Sequence, residues 1–434
     1  MNRKTSILFV ILGSSLMLLL VQMLVLTDGP SGIVYAAPQA CVAGPHTGII
    51  TGTQTWCASD NPHILTSDVT VPAGMTLTVE SGVVVMGAGN AELQVEGHLE
   101  ALGTPTEPIT FTSTTDTGGG QWQGILFDGG TGHLRNTVVR YGGGSNSVGI
   151  IGNITVLDTL AGEVLLESTQ VLTCLNAVST EYGFYINNGR TTISDTLFSG
   201  NGNGGAAAPL YIAGADSVVT LTDNSFTGNS RNRIVLAPGA MMGHDTTLTP
   251  QTVLQGYEMA ADFTVPPTIT LTLEPGVKLM GANDVELKVQ GHLEALGTPV
   301  QPITLTSVTD SGGGQWQGVL FDGGSGNLRH TTVRYGGGSN SAGMIGNITV
   351  LDTLAGEVLL ESTQVLTCLN AYSTEYGLYI NNGRTTISDT LFSGNGNGGE
   401  AAPLYIAGVD SIVNLADNSF TGNSRNRIVL APGA

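Results

Sequence analysis

The chain has 434 residues, of which 62 are glycine and only 11% are charged, and its formal net charge is −20. This much glycine disfavours an all-helical protein, because each glycine inside a helix costs roughly 1 kcal/mol relative to alanine. A hydrophobic fraction of 41% disfavours disorder, and the acidic balance disfavours a nucleic-acid partner, which requires a basic surface. These values leave a glycine-rich, acidic, many-turned β protein.

The first 36 residues have the pattern of an export signal. Arg3 and Lys4 precede a long apolar run, and Val34 and Ala36 supply the small residues that a cleavage site requires. We therefore predict that 1–36 is a signal peptide and that the protein is secreted or held at the cell surface. An uncleaved membrane anchor is the alternative, and it is the only membrane contact that the sequence predicts.

The four cysteines fall into two classes. Cys41 and Cys57 lie close together after the predicted cleavage site, in an oxidising compartment, and they predict a disulfide in an N-terminal cap segment over 37–67. Cys174 and Cys368 occupy equivalent positions of a repeat and have no cysteine nearby in sequence. We expect both to be small, buried, apolar side chains.

The rest of the chain is a tandem repeat of one sequence. The segment 97–105 recurs as 291–299, and the offset of 194 residues holds without a gap to the last residue. The predicted organisation is a first unit over 68–240 (copy 1), a junction over 241–261 and a second unit over 262–434 (copy 2).

A shorter period lies within each copy. Similar strand starts occur at Leu134, Leu166, Ile193 and Leu221. Apolar and polar side chains alternate along such segments, as in strands with one buried face. Short strands at a spacing of 20–30 residues, separated by Gly, Asn and Asp turns, are typical of a solenoid.

Two phenylalanine motifs make this pattern more specific. Phe-Ser-Gly-Asn201 and Phe-Thr-Gly-Asn229 each follow an Asp-containing turn, and they resemble the repeat of bacterial secreted parallel β-helix proteins of the pectate-lyase-like superfamily. The resemblance covers nearly all of 62–434. It implies an all-β, right-handed parallel β-helix. Because the junction contains strand-like pieces and no long Gly/Ser/Pro linker, we expect the two near-identical tandem units to form one continuous rod. The resemblance also implies that Asn201, Asn229 and Cys174 occupy one inward turn, where side-chain amides hydrogen-bond from coil to coil.

Enzymes of that superfamily use clustered carboxylates, either with calcium and an arginine base or as a pair for hydrolysis. The sequence contains no adjacent Asp-Asp pair. Its densest acidic group is expected on the outward face of one strand, as a solvated stripe, with a divalent-cation site as the alternative. The group consists of Glu92, Glu96, His98 and Glu100. Copy 2 has Gln290 in place of Glu96, so a role that depends on Glu96 would be absent there.

Two further motifs have ordinary structural interpretations. Asp128-Gly-Gly and Asp322-Gly-Gly are typical of turns, and calcium ligation is the alternative. Arg231 and Arg233 flank Asn232, and we expect them to pair with acidic neighbours rather than to bind an anion. The sequence therefore predicts no cofactor, with calcium as the one possibility left open.

Aromatic residues beside arginines are the candidate ligand-binding residues, because aromatic rings can stack on sugars. The alternative for the tryptophans is that they cover a solenoid turn. The candidates are Trp122, Arg140, Tyr141, Trp316, Arg334 and Tyr335. The sequence favours a non-catalytic extracellular or cell-surface protein for structural display or adhesion, with extracellular polysaccharide or cell wall as its partner. A polysaccharide lyase or glycoside hydrolase is the alternative.

Overall fold

The structure is a computed structural model that describes residues 40–144, 152–174, 182–202, 207–251, 253–338, 343, 346–369, 375–396 and 401–434. The predicted signal peptide lies outside the described residues. Within them the chain is all-β, with 42 strands and one short 3₁₀ helix, Ala58–Asp60. None of this helical structure reaches the length and hydrophobicity of a membrane-spanning segment.

The strands are short, most of them three to six residues, because a turn follows each flat side of a coil. Up to the end of copy 1 they are β1 His46–Ile49, β2 Gln54–Trp56, β3 His63–Val71, β4 Thr76–Val79, β5 Val84–Gly87, β6 Glu92–Val95, β7 His98–Leu102, β8 Ile109–Ser113, β9 Gly124–Asp128, β10 Thr131–Arg135, β11 Thr137–Arg140, β12 Gly152–Leu157, β13 Val164–Glu167, β14 Gln170–Leu172, β15 Tyr182–Asn187, β16 Arg190–Ser194, β17 Leu197–Ser199, β18 Ala208–Ala213, β19 Val218–Thr222, β20 Ser225–Thr227 and β21 Arg233–Leu236. In the junction and copy 2 they are β22 Thr246–Leu248, β23 Gly256–Met259, β24 Phe263–Val265, β25 Thr270–Leu273, β26 Lys278–Gly281, β27 Glu286–Val289, β28 His292–Leu296, β29 Ile303–Ser307, β30 Gly318–Asp322, β31 Ser325–Arg329, β32 Thr331–Arg334, β33 Gly346–Leu351, β34 Val358–Glu361, β35 Gln364–Leu366, β36 Tyr376–Asn381, β37 Arg384–Ser388, β38 Leu391–Ser393, β39 Ala402–Ala407, β40 Ile412–Ala416, β41 Ser419–Thr421 and β42 Ile428–Leu430.

Every pairing between these strands is parallel, and each joins a strand to its equivalent in the next coil, which makes the fold a parallel β-solenoid. The register confirms the short period in the sequence. Leu134 pairs with Leu166, Leu166 with Ile193, and Ile193 with Leu221. The right-handed sense of the coil stays a prediction.

The core is a column of apolar side chains inside the coils. Leu77 and Val79 on β4 are 0% and 2% exposed, whereas Thr76 and Thr78 between them are half-buried. This is the two-residue alternation of a strand with one buried face. One core cluster contains residues from both copies and from the junction.

The turns carry an internal ladder of amides, as the resemblance implied. The Asn201 side-chain amide donates to Asn229 Oδ1 at 3.1 Å and to the Val171 carbonyl at 2.8 Å. The Cys174 backbone N–H donates to Asn201 Oδ1 at 3.2 Å. Cys174 and Cys368 are both buried, and burial raises the pKa of the Cys368 thiol. Because buried polar groups are costly without partners, this ladder fixes the turns.

The first coil is closed by a disulfide and an aromatic stack. Cys41 and Cys57 form a disulfide, and the Trp56 ring lies 4.0 Å from the His46 ring and 5.4 Å from the His63 ring. His46 Nε2 lies 2.9 Å from His63 Nδ1, and His63 Nε2 lies 2.9 Å from the Cys57 carbonyl oxygen. A carbonyl only accepts, so His63 donates from Nε2 to Cys57. Burial, together with the neighbouring His63, lowers the pKa of His46 to about 4.

The ladders rearrange at the junction. β21 pairs with β23, so one ladder passes from copy 1 into copy 2. The ladder β2–β4–β7–β10–β13–β16–β19 ends at β19, and a separate ladder begins at β22. A third ladder begins at β24 and runs to β42. Residues 40–434 nevertheless form one compact unit.

Candidate functional site

The two tryptophans proposed to stack on sugars are buried. Trp122 and Trp316 are 0% and 1% exposed. The Trp122 indole donates its Nε1–H to the Arg140 carbonyl at 2.8 Å and packs over Gly87, where a Cβ would lie 2.7 Å from the ring. The indoles therefore present no face to a ligand, which corrects the expectation from sequence. Glycine at position 87 leaves room for the Trp122 indole, because any other residue would place its Cβ against the ring.

The arginine and tyrosine beside each tryptophan are engaged within the protein. Arg140 makes a two-pronged ion pair with Asp116, at 2.9 Å from Nε and 2.7 Å from Nη2. Its guanidinium carbon lies 5.2 Å from the centre of the Tyr141 ring. The Tyr141 backbone is left-handed, with φ of 61°, which turns the half-buried ring back against the arginine. Arg334 and Tyr335 repeat this contact at 5.2 Å. The structure thus brings the predicted residues together as a corner of the coil, in which the indole is buried and the arginine and tyrosine are partly accessible.

Copy 2 adds two lysine ion pairs to this framework. Lys278 Nζ lies 2.8 Å from Asp310, and Lys288 Nζ lies 2.8 Å from Asp322. Burial raises the pKa of Asp310, but hydrogen bonds from Arg334 and Lys278 outweigh it and the net pKa is below its usual range. The hydrogen bond from Lys288 lowers the pKa of Asp322. The Lys288 ammonium thus pairs with the Asp322 carboxylate, for which calcium ligation was the alternative interpretation.

The acidic group divides between two strands. Glu92 is 2% exposed on β6, whereas His98 and Glu100 lie on β7 in another ladder. The expectation of four groups on one strand face is therefore wrong, because the chain turns a corner at 96–97. His98 Nε2 lies 3.0 Å from Glu100 Oε2, and exposed Glu96 lines a shallow groove of about 350 Å³ beside His98. No cluster of three or more metal-ligating side chains occurs among the described residues.

The structure shows an aromatic surface that the sequence reasoning missed. Tyr185 on β15 pairs in register with Tyr211 on β18, and their rings stack 5.5 Å apart at 7°. Tyr182 lies 4.6 Å from Tyr211. The neighbours Phe184 and Ile186 point into the core, so Tyr185 faces outward, and all three tyrosines are half-buried. We name these three residues tyrosine cluster 1.

Copy 2 repeats the arrangement as tyrosine cluster 2, which consists of Tyr376, Tyr379 and Tyr405. The Tyr379 and Tyr405 rings stack 5.6 Å apart at 7°. Tyr376 and Tyr379 are 9% and 8% exposed, and Tyr405 is half-buried. The cluster packs apart from the main core. A signal for it was present in the sequence, since Tyr185 and Tyr211 are one solenoid period apart.

Burial keeps the hydroxyls of tyrosine cluster 1 protonated. Burial, with Tyr211 and Tyr185 nearby, raises the pKa of Tyr182 to about 12. Burial also raises the pKa of Tyr211. These phenols therefore remain neutral hydrogen-bond donors and acceptors throughout the physiological range.

Comparisons with known proteins identify no family for this chain. No protein-family model matches the chain, and no solved structure matches it. A stretch of 59 residues is 37% identical to Protein bark beetle of Drosophila melanogaster. That stretch is 14% of this chain, and it spans only 2% of that protein's length.

Proposed function

We propose that this chain is a non-catalytic, secreted or cell-surface protein for display or adhesion, and that it binds glycans through tyrosine cluster 1, with tyrosine cluster 2 as a more buried second site. The observation that carries the proposal is the stacked tyrosine cluster, which the solenoid forms twice at positions 194 residues apart. All three rings are half-buried in copy 1, whereas in copy 2 only Tyr405 is. The bacterial origin, the right-handed coil and the membership in the pectate-lyase-like superfamily are part of the same proposal.

The chemistry of the clusters suits neutral sugars. Tyrosine rings offer apolar faces to the C–H groups of a sugar ring, and their hydroxyls can hydrogen-bond its hydroxyls. The net charge of −20 repels acidic polysaccharides. Extracellular polysaccharide or cell wall is accordingly the proposed partner, and no cofactor is required.

Catalysis is the second candidate, and one feature favours it: the groove of about 350 Å³ that contains Glu96 and His98. Against it, the His98 ring is held by Glu100 at 3.0 Å and by Thr131 Oγ1 at 2.8 Å. Copy 2 carries Gln290 at the position of Glu96. We expect no unsaturated-uronide absorbance and no new reducing ends from polygalacturonate with calcium. Appearance of either product would overturn the adhesion proposal in favour of catalysis.

The glycan proposal is tested by calorimetric titration with two neutral probes, cellohexaose and xylohexaose. Tyr211→Ala should weaken binding at cluster 1 about tenfold, which corresponds to about 1.4 kcal/mol. Tyr405→Ala makes the matched change in cluster 2, and Tyr141→Ala is the control outside both clusters. Binding of neither probe by the wild-type protein would overturn the proposal, as would equal loss in the Tyr141→Ala control.

A further inference from the structure

A cleft opens at the junction, where two successive strands fail to pair. β16 and β19 are parallel partners, with Arg190 opposite Val218. β22 follows β19 at the same spacing in sequence, but within the described residues no pairing joins the two. A cavity of about 310 Å³ lies between them instead, and it is lined by both strands and by Met241 and Tyr257.

Side chains hold the two edges at a fixed separation. His244 Nε2 lies 2.9 Å from the Ser217 carbonyl oxygen at one end of β19. At the other end, Thr249 Oγ1 donates to the Leu221 carbonyl at 3.1 Å. Side-chain bridges of this kind stand where a ladder would have backbone hydrogen bonds, so a cleft rather than a paired edge lies between β19 and β22. The cleft is thus built into the junction.

The walls combine apolar side chains with a polar backbone edge. Val219, Leu221, Met241 and Leu248 are 9%, 7%, 4% and 3% exposed and line the cleft. The Leu221 carbonyl points towards β22, because it accepts from Thr249. Alternate residues of a parallel strand direct their backbone groups to the same side, so the Val219 N–H and C=O face the cleft as well.

The lining contains no lysine or arginine, and its imidazole and its one carboxylate are both engaged within the protein: the two ring nitrogens of His244 each lie 2.9 Å from a backbone carbonyl oxygen, of Asp245 and of Ser217. Asp245 Oδ1 accepts the Thr270 backbone N–H at 2.8 Å. The Tyr257 hydroxyl donates to the Thr249 carbonyl at 2.7 Å. An ionised ligand would lose its hydration here, and Asp245 and His244 are already committed to hydrogen bonds within the protein, so the cleft favours an uncharged ligand. The volume is about twice that of an engineered cavity of 150 Å³ that binds benzene.

We propose that the junction cleft binds a small uncharged molecule with an apolar body and one hydroxyl group. The apolar body lies against Val219, Leu221 and Leu248, and the hydroxyl pairs with the free backbone edge of β19. This site is distinct from the tyrosine clusters, and it lies at the junction, whose sequence is not repeated elsewhere in the chain.

The test uses p-cresol as the probe and the full chain as the receptor. Saturation-transfer NMR and calorimetry should show saturable binding with a dissociation constant of about 1 mM or tighter. The anion 4-methylbenzoate, which has nearly the same shape, should bind the wild-type protein at least tenfold more weakly. This comparison needs no variant, so it does not depend on how a substitution folds.

A matched pair of variants locates the site. Val219→Phe fills the cleft and should weaken p-cresol binding at least tenfold. Val413→Phe makes the same change at the equivalent position of copy 2, where no β22-like strand follows among the described residues, and should bind as the wild type does. Absence of saturable binding, equal affinity for the anion, or equal loss in both variants would each overturn the proposal.

Discussion

The ion pairs that cross the junction give the sharpest test of how the two copies are joined. Arg231 Nη1 lies 3.1 Å from Glu258 Oε1, and Arg233 Nη1 lies 3.1 Å from Glu258 Oε2. This agrees with the expectation that these arginines pair with acidic neighbours. The Glu258 side chain is only 6% exposed, whereas the two arginine side chains are 34% and 19% exposed. Because β21 and β23 form the ladder across the junction, we expect Glu258→Gln to weaken that joint.

The expected loss of stability follows from how deeply the Glu258 carboxylate and the two arginines are buried. Removing one partner of a fully buried ion pair costs about 3–5 kcal/mol, because the other charge is left without compensation. Here the arginines can turn partly to water, so we expect a loss of about 2 kcal/mol. For a chain of 434 residues, an unfolding entropy of about 2.1 cal/mol/K per residue converts this loss into a fall in Tm of about 2 °C.

The assay is urea unfolding followed by circular dichroism, with scanning calorimetry for the melting temperature. Glu361→Gln, an exposed carboxylate on β34, is the control and should change stability by less than about 0.5 kcal/mol. A double-mutant cycle with Arg231→Gln should give a coupling of about 1 kcal/mol. If Glu258→Gln matches the control and the coupling is zero, the ion pairs do not hold the junction and the reasoning fails.

Reduction of the Cys41–Cys57 disulfide, which closes a loop with a sequence separation of 16, should cost about 3 kcal/mol; urea unfolding with and without reductant measures the loss, and unchanged stability would contradict it. Burial and the neighbouring His63 lower the pKa of His46 to about 4, so between pH 4 and about 6.5 the unfolded chain binds a proton that the folded chain does not. Stability should therefore rise with pH across that window, and His46→Gln should flatten the rise. Lys288→Gln installs the residue of copy 1 and removes one partly exposed ion pair; its cost should stay below about 1 kcal/mol in the same assay, and a larger loss would show that the pair is structural.

The fold was predictable because its signals are local and periodic. Alternation within strands and the spacing from Leu134 to Leu221 set both the strand faces and the register. The inward asparagines were predictable for a related reason, since a turn that repeats once per coil stacks its own side chains. These features depend only on one coil and its neighbour.

The candidate site was less predictable because it depends on corners and on pairs of coils. Trp122 was a ligand-binding candidate because aromatic rings can stack on sugars, but Gly87, on the distant strand β5, leaves room for the indole to pack into the structure. Glu92 was assigned to the face of His98 because a corner between two strands carries no strong sequence signal. The tyrosines form a surface only through the register of β15 with β18.

The rearranged ladders have a consequence for valency. Tyrosine cluster 1 lies on the ladder that passes through β21 and β23 towards β41, whereas tyrosine cluster 2 lies on the ladder from β24 to β42. The two clusters therefore do not repeat along one ladder, although their tyrosines recur 194 residues apart in sequence. If both clusters bind glycan as proposed, the duplication adds avidity only for a partner that reaches both ladders at once.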